Sequence, residues 1–247
     1  MMADSKKEVK TLGVIPARGG SKGIPRKNIA LLSGKPLIHY TIREAKRSRL
    51  LDAFIVSTDD PKIAAVARSL GADVPFLRPK KFARDRSPDI EFLDHALAWL
   101  ERHRGWRPDI VVNLRPTAPL RTADDIDRVI LLMRETGCDS VRTVSPPNPH
   151  NPYKMWLFTD EKRAAMKPLI RTAHYGTLGT DVPRQLLPQA YWQNGLVDAT
   201  RSKFIRRGVV YGPDVRGVIT DPRRAVDIDE PKDLKRAEII MRELELL

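Results

Sequence analysis

Cysteine is almost absent from the 247-residue chain. Cys138 stands alone, which excludes an internal disulfide framework and a structural zinc site built on cysteines. Long apolar runs are missing too, and residues 1–10 are polar, so there is neither a membrane span nor the apolar core of a signal peptide. Aromatic residues make up only 6%, little for a protein that stacks bases, and no helix-turn-helix, zinc or RNP-type pattern occurs. The five histidines show no H-E-x-x-H or other ligand spacing, and no Ser or Cys stands in a triad-like setting. These absences lead to the expectation of a cytoplasmic protein with no membrane or nucleic-acid partner.

The most local absence is of acid. Between Glu8 and Glu44 no carboxylate occurs, while Lys10, Arg18, Lys22, Arg26, Lys27, Lys35 and Arg43 all do. The whole chain carries 44 basic and 31 acidic residues, a net charge of +13. Such a run attracts phosphate, on a nucleic acid, a membrane or a small anion. A merely solvated basic face is the bland reading, and a basic nucleic-acid-binding protein is the non-enzyme alternative.

What is present is a globular composition, 41% hydrophobic and 30% charged. Strand patterns at Thr11–Ala17, Ala53–Thr58, Asp109–Leu114 and Ser140–Val144 alternate with helical patterns at Pro36–Arg49, Pro61–Leu70, Pro88–Arg104 and Thr122–Glu135. Gly71 reads as a helix stop and Thr122 as an N-cap. The alternation implies an α/β fold, a doubly wound and mostly parallel sheet. The rhythm breaks at about 145–194, where proline is dense, and resumes at Gly195–Thr200, with a strand at Ala225–Ile228 and a helix from Pro231 to about Leu244. One domain over 1–247 with a Pro-rich insertion is the expected organisation.

The segment IPARGGSKGIPRKN (15–28) follows the first strand directly. Ligands of doubly wound sheets bind at that end. Gly19, Gly20 and Gly23 allow close backbone approach to an anion, and Arg18, Lys22 and Lys27 supply charge. The pattern is neither a P-loop nor a dinucleotide fingerprint. Near the C-terminus, Asp227 and Asp229 alternate along the chain and project to one face, a pair suited to Mg²⁺ or, equally, to starting the next helix.

The chain resembles the acylneuraminate cytidylyltransferases over nearly its whole length. The resemblance lies in the loop just quoted and in SGKPLIHYTI (33–42), VSTDD (56–60), GADVPFLRP (71–79), LRPTAPLRT (114–122), PRQLLPQAYWQNG (183–195) and VDIDEPKDL (226–234). It implies a Rossmann-like nucleotidyltransferase that couples CTP to the anomeric hydroxyl of a 2-keto sugar acid. It places Arg18, Gly19, Gly20, Ser21, Lys22, Lys27, Asn28, Arg78, Ser87 and Asp89 on the CTP, with Arg18, Lys22, Lys27 and Asp227 as the catalytic set. Mg²⁺ is implied on Asp227 and Asp229. Arg115, Lys154, Arg184, Gln185, Asn194 and Asp198 fall on acceptor-side positions, and the Pro-rich insertion matches a dimerisation segment, implying a homodimer.

Three positions depart from that pattern. Asp89 stands where a small hydroxyl residue lies near cytosine, Arg115 replaces a Gln, and Asp198 replaces a Tyr that faces the sugar. Arg115 is a fork suited to a carboxylate, or else it pairs with an acid such as Asp198. These departures leave open an enzyme of the same fold using another NTP or a sugar phosphate, and suggest an acceptor other than N-acetylneuraminate.

Overall fold

The computed structural model describes residues 9–147, 150–170 and 182–246. The chain divides into two compact units. One runs up to Thr143 and resumes at Asn194; the other is Val144–Gln193.

In the first unit, β1 (Thr11–Pro16) is buried along almost its whole length, as a central parallel strand must be. Residues Leu31–Leu32 (β2) and Lys35–Pro36 (β3) form a small antiparallel pair. Ser33 and Gly34 between them both take positive φ, 45° and 74°, the geometry of a tight hairpin turn. Helix α1 (Leu37–Arg47) follows, with Pro36 as its N-cap instead of its first residue. Next come β4 (Ala53–Ser57) and α2 (Pro61–Ser69), whose N-cap Asp60 accepts from the N–H groups of Lys62 and Ile63. Then α3 (Asp89–Arg104), β5 (Ile110–Asn113) and α4 (Ala123–Thr136) complete the alternating part. Thr122 and Asp125 cap α4 reciprocally.

After β6 (Ser140–Ser145), the second unit contributes a hairpin of β7 (Trp156–Asp160) and β8 (Ala165–Pro168). The chain returns through β9 (Trp192–Arg201), the short α5 (Ser202–Ile205), β10 (Val215–Ile219) and α6 (Pro231–Glu243). The six-stranded sheet runs β10-β6-β9-β5-β1-β4. Strands β4 and β5 are parallel to β1, and β9 is antiparallel to β5.

Period-two alternation decides which helix each strand residue meets. Leu12, Val14, Ile55 and Val111 pack with Phe92, Leu93, Leu97 and Leu100 of α3. Ile15, Val56, Ile110 and Val112 pack with α1, α2 and α4 through Ile38, Ile63, Ile126 and Met133. Both faces are therefore covered, and Cys138 is packed in the second of these cores.

The expected strand at Ala225–Ile228 does not form. Among the described residues no ladder partner is offered there; the Ile228 N–H donates to the carbonyl of Thr117 at 2.8 Å. Val226 and Ile228 instead anchor the segment in a third apolar cluster with Ile24, Leu32, Leu37 and Met241 of α6. That anchoring brings the acidic residues beside them to the carboxyl end of β1. Strand β10, at the sheet edge, carried no clear strand pattern in the sequence.

Candidate active site

The chain leaves β1 toward β4 on one side of the sheet and returns to β5 on the other, so β1 and β5 flank a topological switch point. A cavity of about 480 Å³ opens there. Arg18, Ser21, Lys22, Gly23, Lys27 and Asn28 from the first loop line it, with Arg78, Phe82, Arg84, Asp85 and Ser87. Asp89 and Phe92 of α3, Arg115–Thr117 after β5, and Asp229 and Glu230 complete the wall. The size suits a nucleotide, since small-molecule sites span roughly 300–1,000 Å³.

The basic residues of the first loop find their counterions far away in sequence. Arg18 and Lys22 both meet Asp85 at 2.6 Å, Lys27 meets Asp229 at 2.8 Å, and Arg26 reaches Asp60 at 3.4 Å. Lys22 and Arg18 hold the Asp85 carboxyl below its ordinary range. Asn28 is buried and pins the loop by donating to the carbonyl of Arg18 at 3.0 Å. Arg26 takes a left-handed φ of 48°, a local strain worth about 1–2 kcal/mol for a residue with a side chain.

The three loop glycines have different reasons. A Cβ on Gly19 would collide with the Asp60 side chain at 2.8 Å, and one on Gly23 with the Asp229 carbonyl oxygen at 2.2 Å. Only Gly20 is open, with nothing within 4 Å. Close approach of protein to protein thus explains two of them. The backbone N–H of Gly19 is already given to Asp59 Oδ1 at 2.9 Å.

Arg78 is buried, with Nη2 on the Ser57 carbonyl at 2.5 Å and its guanidinium 5.2 Å from the Phe92 ring centre. Burial pushes its pKa down to about 10, against the pull of Asp59, so it stays charged at neutral pH. Its Nε is a buried donor with no partner among the described residues. That atom is closed off from solvent, so Arg78 lends the cavity wall the positive charge of its guanidinium and no free Nε donor.

Residues 12–153 match the family described as Cytidylyltransferase. The chain belongs to that family. Among its relatives, the post-translational flagellin modification protein B of Campylobacter coli is 29% identical over 236 residues, covering 95% of this chain and 96% of that protein. The CMP-N,N'-diacetyllegionaminic acid synthase of Legionella pneumophila is 41% identical over 138 residues, 56% of this chain and 59% of that protein. A solved CMP:2-keto-3-deoxy-manno-octonic acid synthetase complexed with CTP shares the fold, with a TM-score of 0.68 at 16% identity over 95% of this chain and 99% of that one.

In this cytidylyltransferase the other expected site residues are placed as follows. Ser87 lines the cavity with its hydroxyl 3.3 Å from the Lys81 carbonyl. Asp227 and Asp229 are exposed on either side of the buried Ile228, but only Asp229 lines the cavity. Asn194 is buried, donating to Thr220 Oγ1 at 2.7 Å, and shapes β9 from within. Asp198 is buried and pairs with Arg115, whose other arm holds Asp89. Burial opposes the charge of Arg115, yet Asp198 and Asp89 together hold its pKa above the ordinary range. Lys154, Arg184 and Gln185 belong to the second unit, on short helical turns at Pro152–Lys154 and Arg184–Leu186.

Some wall residues carried no sequence signal of this role. Phe82 and Arg84 drew no reading, Asp85 only opened the 85–89 segment that the resemblance places near the base, and Phe92 read only as an apolar helix position. Arg121 is another. It is fully buried and donates to the carbonyls of Leu196 at 2.5 Å and Arg115 at 2.7 Å and to Thr41 Oγ1 at 2.8 Å. It thereby fixes the backbone that carries Arg115. Burial, opposed by Asp125, pushes its pKa down to about 9.

Proposed function

We propose that this chain transfers CMP from CTP to the anomeric hydroxyl of a sialic-acid-like 2-keto sugar acid and releases pyrophosphate. The observation that carries this is the switch-point cavity walled by the four basic residues Arg18, Lys22, Lys27 and Arg78. Membership of the family and the names of its relatives support it. In this reaction the sugar oxygen bonds to the α-phosphorus as the bond to the bridging β-phosphate oxygen breaks; the hydroxyl proton goes to solvent. Positioning and charge neutralisation govern such a displacement. Arg18, Lys22 and Lys27 stabilise the departing pyrophosphate, exchanging Asp85 and Asp229 for phosphate oxygens. Ser21 and Asn28 shape the loop, and Asp89 accepts from the amino group of the base.

The same reading assigns Mg²⁺ to Asp227 and Asp229. Among the described residues no group of three or more His, Cys, Asp or Glu side chains is arranged for a metal ion. Two exposed carboxylates flanking Ile228 fit an ion that takes the rest of its shell from triphosphate and water. When bound, it would neutralise phosphate charge. Asp227→Asn should abolish turnover and leave the thermal melting profile unchanged; retained turnover would remove Asp227 from the site.

A homodimer through the second unit is also part of the proposal. Trp156, Phe158, Met166, Leu186 and Trp192 of that unit are exposed apolar side chains. Among the described residues no helix is long and apolar enough to cross a membrane.

The test is a pyrophosphate-release screen of the four ribonucleoside triphosphates with Mg²⁺ against neuraminic, Kdo-like, legionaminic and pseudaminic acids. Release with CTP and one of these acids is expected. No turnover with CTP and any of them would sink the reading.

A further inference from the structure

Arg115 lines the cavity, yet its guanidinium is committed on both sides. Nη1 donates to Asp198 and Nη2 to Asp89. Asp198 sits opposite Asn113 in the β5–β9 ladder and is shared with Arg142 of β6, at 3.7 Å. Asn113 donates its Nδ2 to Asp89 at 3.0 Å, on the same Oδ2 that takes Arg115. An alternating chain of charge, Asp89–Arg115–Asp198–Arg142, thus runs from the first turn of α3 across the carboxyl end of β5 to β9 and β6.

The two carboxylates occupy both arms of Arg115, and Arg142, the second arginine of the chain of charges, is already turned to the buried Asp198. An acceptor carboxylate brought to that guanidinium would meet two like charges already at ion-pair distance, one of them buried. What the arrangement does well is fix Asp89. Both described contacts of Asp89 use Oδ2, which leaves Oδ1 as an acceptor on the cavity wall.

We propose that Arg115 is a positioning residue: it ties the wall carboxylate Asp89 to Asp198 on the sheet so that Asp89 can read the nucleotide, and it does not itself bind the acceptor's carboxylate. This rests on the reading of CTP as the nucleotide. It assigns acceptor recognition to other groups and makes the departures at Asp89, Arg115 and Asp198 one linked change.

The experiment measures CTP affinity by calorimetry without acceptor, and the KM of each substrate by pyrophosphate release, for wild type, Arg115→Gln and the isosteric Asp198→Asn. With Arg115→Gln, CTP affinity should fall about tenfold or more even without acceptor, as expected for loss of a charged hydrogen bond. Asp198→Asn keeps the shape of the side chain and gives opposite signs under the two ideas. Loosening of Asp89 weakens CTP binding and leaves the acceptor KM unchanged or higher. If Arg115 gripped the acceptor, relieving it of Asp198 would lower the acceptor KM and spare CTP. Unchanged CTP affinity in both variants, with a changed acceptor KM, would overturn the proposal. Failure of the wild type to bind CTP would instead overturn the functional reading beneath it.

Discussion

Replacing Gly23 by alanine places a Cβ 2.2 Å from the carbonyl oxygen of Asp229 and 3.4 Å from its carbonyl carbon. The obstacle is backbone, held by Val226 and Ile228 in the third core cluster, so no side chain can swing aside. The basic loop and the 226–230 segment must part by about 1 Å, and overpacking of this kind costs about 1–3 kcal/mol. Against that stands a gain of about 0.4–1 kcal/mol from the stiffer unfolded chain. Gly20→Ala is the control, because nothing lies within 4 Å of its Cβ and only the gain remains. For a chain of this length each kcal/mol moves Tm by about 2–4 °C. Thermal unfolding without ligands should therefore show Gly23→Ala below wild type and Gly20→Ala at or above it. Gly23→Ala should also weaken CTP binding, since the shift carries Lys22, Lys27 and Asn28 of the same loop away from their places on the cavity wall. Equal Tm values for the two variants would refute the packing argument and with it the placement of the acidic segment at the cavity.

Two further outcomes follow from charge. Asp85→Asn frees Arg18 and Lys22 from their shared partner and should tighten pyrophosphate binding several-fold in calorimetry; weaker binding would show that Asp85 organises the loop instead of competing with phosphate. His95 packs on Phe76 with its Nδ1 buried and without a partner among the described residues, and burial, reinforced by Arg78 and Lys81, lowers its pKa below the ordinary 6.5. The unfolded chain then takes up the proton first, so stability is lost as pH falls through 6.5 toward the folded-state value and is unaffected above it. His95→Phe should flatten the fall of Tm between about pH 7 and pH 5 in part, since His39 is lowered in the same sense; an unchanged slope would contradict the assignment.

Local chemistry was the readable part of this fold. Thr122 with Asp125, and Gly71 with φ 73°, each mark a helix end through groups within a few residues. The apolar alternation of β1, β4 and β5 was readable for the same reason. Strand direction was not, because the pattern of β9 is the same whichever way it runs, and only pairing with β5 makes it antiparallel. Nor was the absence of a strand at Ala225–Ile228, where an apolar–acidic alternation meets no neighbouring strand. In the site, the basic loop was plain in the sequence, but its counterions were not. Arg18 and Asp85 lie 67 residues apart, and Lys27 and Asp229 lie 202 apart. Gly23 looked like a glycine for a phosphate; folding shows it makes room for the Asp229 carbonyl.

The most direct test of the account is to incubate the protein with CTP, Mg²⁺ and the acid that wins the screen, and to identify the products by phosphorus NMR and mass spectrometry. The account predicts a CMP phosphodiester of the sugar acid and inorganic pyrophosphate in equal amounts, neither forming without the acid. A product carrying pyrophosphate, or pyrophosphate release from CTP that does not depend on the acid, would contradict it.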